Sequence, residues 1–226
     1  MVRLLIGILS LLATKDSSQL LLVLSGDWGV VQATLQRYEK VSGKWRAIGN
    51  AIPVSLGRSG LGWGEGLHPA QSSGPVKKEG DGRSPAGIFR MGTAFGYRPL
   101  DGKWPYRVLT PDTECVDDAQ SKRYNRLVDR STEKVDWKSS EKMLRSDDLY
   151  RIGIVVLHND QPIPGKGSCI FLHIRATPES ATVGCTAMEP NHIETILKWL
   201  DPAKRPILVQ LPKAEYQRLK KEWELP

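Results

Sequence analysis

The chain has 226 residues, 32 of them Lys or Arg and 25 Asp or Glu, giving a formal net charge of +7 and a pI near 9.3. At 40% hydrophobic and 25% charged it has the balance of a globular domain large enough to fold without staples, which excludes intrinsic disorder and collagen-like structure. No apolar run reaches the ~18–20 residues that span a bilayer, excluding a polytopic membrane protein. The scattered basic residues, without an arginine-rich arm, argue against nucleic acid and suit an anionic surface or wall polymer.

Met1-Val2-Arg3, followed by apolar residues 4–13 and then Thr14-Lys15-Asp16, reads as the charged and apolar regions of an export signal or membrane anchor over residues 1–25. Leu11-Leu12-Ala13 places a bulky residue where cleavage prefers a small one, and Val23-Leu24-Ser25 fits better. The alternative for this stretch is a buried first strand or helix. Residues 26–226 then form a single domain, with no repeat and no dividing linker.

Short apolar or alternating runs at 20–24, 30–38, 45–48, 52–56 and 87–91 predict strands, separated by Ser25-Gly26-Asp27, Ser42-Gly43-Lys44 and Gly49-Asn50. Such spacing predicts a mainly β fold, an antiparallel sandwich or barrel. Residues 58–85 hold seven glycines and read as a functional loop; no Gly-Lys-Ser/Thr closes it as a phosphate-binding loop would. Residues 110–150 are polar and read as an insertion with short helices near 121–128 and 140–144. Strands return at 152–157 and 168–174. A helix over 190–200 starts at Pro190, with Ile193, Ile196, Leu197 and Leu200 on one face. A strand at 207–211 and an amphipathic helix over 213–223 complete a C-terminal helix–strand–helix extension.

The chemistry concentrates in Gly167-Ser168-Cys169-Ile170-Phe171-Leu172-His173-Ile174-Arg175 and Ala181-Thr182-Val183-Gly184-Cys185-Thr186-Ala187-Met188. A histidine ends a buried strand, and twelve residues later a cysteine follows a glycine. An imidazole can take the thiol proton, and the glycine permits a turn that aims backbone N–H groups at an attacked carbonyl. The bland reading is a small buried hydrophobe and a satisfied strand-end histidine.

These residues resemble the active-site signature of the L,D-transpeptidases, the YkuD-type family. There a strand histidine precedes a Ser/Thr-His-Gly-Cys stretch, matched here at His173, Thr182, Gly184, Cys185 and Met188. Asp81-Gly82-Arg83-Ser84-Pro85-Ala86-Gly87-Ile88-Phe89 resembles the family's Asp-x-x-Thr-Pro-x-Gly-x-Phe segment, and the likeness spans about residues 50–211. The resemblance implies that Cys185 is the nucleophile, His173 its general base, and the Gly184 and Cys185 N–H groups an oxyanion hole. It implies peptidoglycan stem peptides as partner and a thioester formed at the third stem residue with loss of D-alanine. An amine resolves the thioester in transpeptidation and water in carboxypeptidation. No cofactor and no metal are implied, and the chain shows no metal-ligand spacing. The expected location is the periplasm or cell surface.

Two positions depart from the family: Val183 replaces its second histidine and Ala187 its arginine. The first is expected to leave a vacancy near the thiol. Arg175 could restore the charge, His158 could orient His173 or face substrate, and His68 could line a groove from the glycine-rich loop. Trp63 could stack on sugar or peptide, or simply anchor packing. Asp117-Asp118, adjacent in sequence, read as a polar face or cap rather than an acid/base pair. With Cys185 kept free for catalysis, an oxidising compartment would allow a Cys115–Cys169 bridge; two free buried thiols are the alternative. The rival functions are an L,D-carboxypeptidase, a hydrolase of protein–peptidoglycan linkages, and a non-catalytic wall-binding protein. A papain-like peptidase is disfavoured because its cysteine would precede its histidine.

Overall fold

The computed structural model describes residues 14–226. Eight strands close into a ring: β1 (Gln19–Ser25), β2 (Gln32–Val41), β3 (Lys44–Ser55), β5 (Ser84–Gly96), β10 (Ile152–Val156), β11 (Phe171–Ile174), β12 (Thr186–Met188) and β13 (Ile207–Pro212). Their order is β10-β11-β12-β3-β2-β1-β13-β5, and a β5–β10 pairing completes the circuit. Closure leaves none of these strands as an exposed edge. β4 (Leu61–Trp63) and β6 (Tyr106–Val108) attach to β5 in parallel. The mainly β barrel expected from the sequence is therefore present, but the ring is mixed. β1–β13 and β11–β12 are parallel.

Several expectations change. β13 is no extension: it lies between β1 and β5 in the ring, with all six residues buried. The segment proposed as a leader over 1–25 ends too late. Residues 19–25 are a ring strand paired on both sides, with only Leu24 partly open, so the fold needs them and cleavage beside Ser25 would delete a strand. The apolar run 4–13 lies outside the described residues. The runs at 45–48 and 52–56 are one strand, β3; Gly49-Asn50 sits inside it, near the register shift between Leu35 and Arg37 on β2. The helices expected at 121–128 and 140–144 are absent. That insertion instead builds a three-stranded sheet from β7 (Thr113–Val116), β8 (Leu127–Asp129) and β9 (Ser140–Lys142), with β7 in the middle. Buried Glu114 fastens it, accepting from Trp137 Nε1 at 2.9 Å and Ser140 Oγ at 2.8 Å and pairing with Lys142.

Helix α1 (Pro190–Trp199) runs as the sequence indicates. Pro190 opens it, and Ile193, Ile196 and Leu197 face β10 and β11. Helix α2 (Lys213–Leu219) packs on β13 and β1. Trp223 beyond it is fully buried, edge-on to Trp63 with ring centroids 6.4 Å apart. Trp63, itself edge-on to Trp28 at 5.1 Å, is therefore a packing anchor and not a stacking platform for substrate. Among the described residues no helix is long and apolar enough to cross a membrane.

Candidate active site

β11 and β12 run parallel with Leu172 opposite Thr186 and His173 opposite Ala187. Cys185, one residue before β12, therefore falls opposite Phe171. Side chains alternate along a strand, so Phe171, His173, Cys185 and Ala187 share one face. His173 and Cys185 line one cavity of about 350 Å³. Ala187, 1% exposed, is the cross-strand neighbour of His173, so the residue replacing the family's arginine leaves room for the imidazole. Val183, where the family has its second histidine, is 68% exposed and lines the same cavity. The substitution leaves no buried vacancy beside the thiol.

The turn carrying the cysteine is tied from both recognised motifs. Thr182 Oγ1 donates to the Cys185 carbonyl at 2.6 Å and accepts from the Gly184 N–H at 3.1 Å. Ser84 Oγ, from the Asp81–Phe89 segment, donates to the same carbonyl at 2.7 Å and accepts from Gly57 N at 2.8 Å. The two motifs are thus far apart in sequence and joined at one carbonyl oxygen. The expected oxyanion hole changes in consequence: the Gly184 N–H is committed to Thr182, whereas no hydrogen bond among the described residues engages the Cys185 N–H.

Cys185 is the only free cysteine of the described residues. Its Sγ accepts from the Phe171 N–H at 3.3 Å and faces the Cys169 carbonyl at 3.6 Å. Cys169 is bridged to Cys115, with Cα atoms 5.9 Å apart, so the pairing allowed by the sequence is formed. Burial pushes the Cys185 thiol pKa well up; nearby Glu141 adds to this, while the Phe171 N–H, Lys77 and Arg145 oppose it. Burial also pulls His173 down to about 4, against the Ile174 and Leu149 carbonyls, which favour the protonated ring. The resting pair is neutral thiol and neutral imidazole. His173 Nδ1 lies 2.7 Å from the Ile174 carbonyl. A carbonyl can only accept, so Nδ1 carries the proton and Nε2 keeps the lone pair of a base.

The remaining sequence candidates divide. Arg175 lines the cavity, its side chain 8% exposed and Nε 2.9 Å from Glu189 Oε1 at the start of α1. Its N–H bonds the Met188 carbonyl, extending the β11–β12 ladder by one step. His158 does not orient His173: its Nδ1 accepts from Glu65 N at 3.2 Å and its Nε2 donates to Lys166 O at 2.9 Å. Both ring nitrogens are spent clamping loops, and burial lowers its pKa to about 4. His68 does not line the cavity either. It is packed among Trp63, Phe89 and Trp223, accepts from Ile88 N at 3.1 Å and is likewise lowered by burial to about 4. A Cβ on Gly87 would stand 1.9 Å from the His68 ring, which explains the glycine of the second motif.

Other cavity residues escaped the sequence reading. Lys77 and Glu79 come from the glycine-rich loop, and Glu141, Arg145 and Tyr150 from the insertion; Asp117, read as part of a polar face or cap, also lines the cavity. Asp118 fastens a turn through Gln120 N and Lys138 N, as a cap would, but Asp117 turns to the cavity and its Oδ1 is buried with no hydrogen-bond partner. Glu141 accepts from the Tyr150 hydroxyl at 2.7 Å, and burial raises its pKa. The Tyr150 ring stands edge-on to His173 at 5.1 Å. The only hint in the sequence was the density of charge in a segment too polar for core. No group of three or more His, Cys, Asp or Glu among the described residues could hold a metal.

Comparison with known families decides the assignment. The model of the YkuD L,D-transpeptidase catalytic domain matches residues 31–209. The chain belongs to this family. The solved structure of the helical cell shape determining protein Pgp2 from Campylobacter jejuni aligns with a TM-score of 0.44 at 14% identity, over 92% of this chain and 55% of that one. The chain thus spans about half the length of that relative. The comparison with curated proteins found no match.

Proposed function

We propose that this YkuD-family chain is an exported L,D-transpeptidase of peptidoglycan, acting in the periplasm or at the cell surface. The observation that carries the reading is the placement of Cys185 and His173 on one face of adjacent parallel strands, in one cavity, with His173 Nδ1 held by the Ile174 carbonyl. Nε2 of His173 takes the thiol proton as Sγ attacks the carbonyl of the third stem residue. The proton then passes to the nitrogen of departing D-alanine, leaving a thioester. An acceptor amine attacks the thioester, with His173 again the base, and restores the thiol. Burial makes a resting ion pair unfavourable, so proton transfer accompanies attack.

The cavity sets Lys77, Arg145 and Arg175 among Glu79, Asp117 and Glu141. Walls of both signs suit peptide substrates that carry carboxylates and ammonium groups. Water reaching the thioester would make the same site an L,D-carboxypeptidase. Incubation with disaccharide-tetrapeptide fragments and mass analysis of the products tests the reading. The expected product is a crosslinked dimer that has lost one D-alanine, absent with Cys185→Ala and His173→Ala. A tripeptide alone would shift the function to carboxypeptidase. No change in the fragments by folded protein would contradict both.

A further inference from the structure

The family's arginine two residues beyond the nucleophile is Ala187 here, and the Gly184 N–H is taken by Thr182. Only the Cys185 N–H remains at this turn to meet a developing oxyanion. The cavity holds a cation placed to complete that role. Lys77 is 3% exposed, and its Nζ donates to Asp81 Oδ1 at 2.8 Å and to the Lys78 carbonyl at 3.0 Å. An ammonium has three N–H donors, and the third has no acceptor among the described residues. Nζ lies beside the turn that carries Cys185: a Cβ on Gly184 would stand 3.7 Å from it, with the Arg83 carbonyl and Ile170 Cδ1 at 3.2 and 3.4 Å, and Lys77 lines the same cavity as Cys185. Asp81 fixes the lysine in turn, its carboxylate also accepting from Lys78 N at 2.7 Å and Arg83 N at 2.9 Å.

We propose that Lys77 is a further catalytic residue, whose ammonium joins the Cys185 N–H in binding the oxyanion of the tetrahedral intermediate. This rests on Cys185 acting as nucleophile but not on the identity of the natural substrate. As the S–C bond forms, the carbonyl π pair moves to oxygen and the thiol proton to His173. Lys77 meets the charge on oxygen and exchanges no proton. When the C–N or C–O bond to the leaving group breaks, the oxygen pair re-forms the carbonyl and the charge beside Lys77 disappears.

Two reactions of the same thiol separate this role from a structural one. Acylation of Cys185 by p-nitrophenyl acetate passes through an oxyanion, whereas alkylation by iodoacetamide does not. Lys77→Met is expected to slow acylation by about 100-fold, the usual cost of losing one oxyanion donor. Alkylation should change by no more than a few fold. Lys77→Arg, which keeps the charge, should recover much of the acylation rate. The Lys77→Met/Asp81→Asn pair removes both buried charges, guards against misfolding caused by an unpaired Asp81, and should behave as Lys77→Met. Equal slowing of both reactions, or acylation by Lys77→Met as fast as wild type, would overturn the proposal. Lysine-dependent acylation in a protein inert towards stem peptides would support Lys77 while contradicting the proposed substrate.

Discussion

Cys185 sits under opposing influences. Burial keeps the proton on sulfur, while the Phe171 N–H and the cations of the cavity favour its loss. Because burial raises the thiol pKa and lowers that of His173 to about 4, the two groups do not exchange a proton at rest. The rate of iodoacetamide alkylation should therefore climb with pH through neutrality into the alkaline range. A plateau between about pH 6 and 8 would instead indicate a standing thiolate–imidazolium pair. The acid side of turnover should be broad, since His173, the proposed base, is protonated only as pH falls towards about 4. At this scale the two motifs pointed to Cys185, His173, Thr182 and the loop bearing Ser84, which the fold brings together. They could not disclose Lys77 or Glu141, which line the cavity only because of where the ring and the insertion bring them. His158 and His68 misled because a histidine in a polar or glycine-rich stretch resembles a ligand-facing one. Only the folded chain shows their nitrogens satisfied by backbone.

Among the elements, the insertion bears most directly on the site. The Cys115–Cys169 bridge ties the middle strand of its small sheet to the segment just before β11. That segment supplies the Cys169 carbonyl and the Phe171 N–H that flank Cys185 Sγ, and Cys169 itself has a φ of +55°. The bridge spans 54 residues, for which chain-entropy arguments give about 4 kcal/mol. Cys115→Ser should therefore lower stability by about 2–4 kcal/mol in denaturant titration. It should also reduce turnover at least tenfold by loosening both contacts to sulfur, an effect of the size expected for an active-site misplacement of about 1 Å. Unchanged turnover would separate the insertion from the catalytic geometry. The short strands of this insertion were illegible in the sequence. β8 and β9 have three residues each and exist because β7 lies between them, a long-range pairing that local periodicity does not record. α1 was legible because its apolar face and its proline start are local properties.

For the molecule as a whole, closure of the ring explains why the barrel was readable while its connections were not. Alternating strands announce a β fold, and the apolar run at 20–24 reads as one of them, but nothing local tells that β13 pairs with β1 in parallel. The ring and its loops also bury three histidines in the neutral state: His68, His158 and His173, each lowered by burial to about 4. Between the ordinary histidine pKa of about 6.5 and about 4, the unfolded chain binds protons that the folded chain refuses. Stability is thus retained above about pH 6.5 and falls as pH drops below it, by up to about 3 kcal/mol per histidine. Denaturant titrations at pH 7.5 and 4.5 should show the decline, and a flat or rising profile would contradict neutral burial. In the proposed function, barrel, insertion and loop together present Cys185 for acyl transfer. That role is tested most directly by peptide-resolved mass spectrometry of protein quenched during reaction with a tetrapeptide stem. A tripeptidyl adduct, the stem less D-alanine, is expected on the Cys185 peptide of wild type and none on Cys185→Ala. Turnover that survives in Cys185→Ala, or folded wild type that never carries the adduct, would contradict that role.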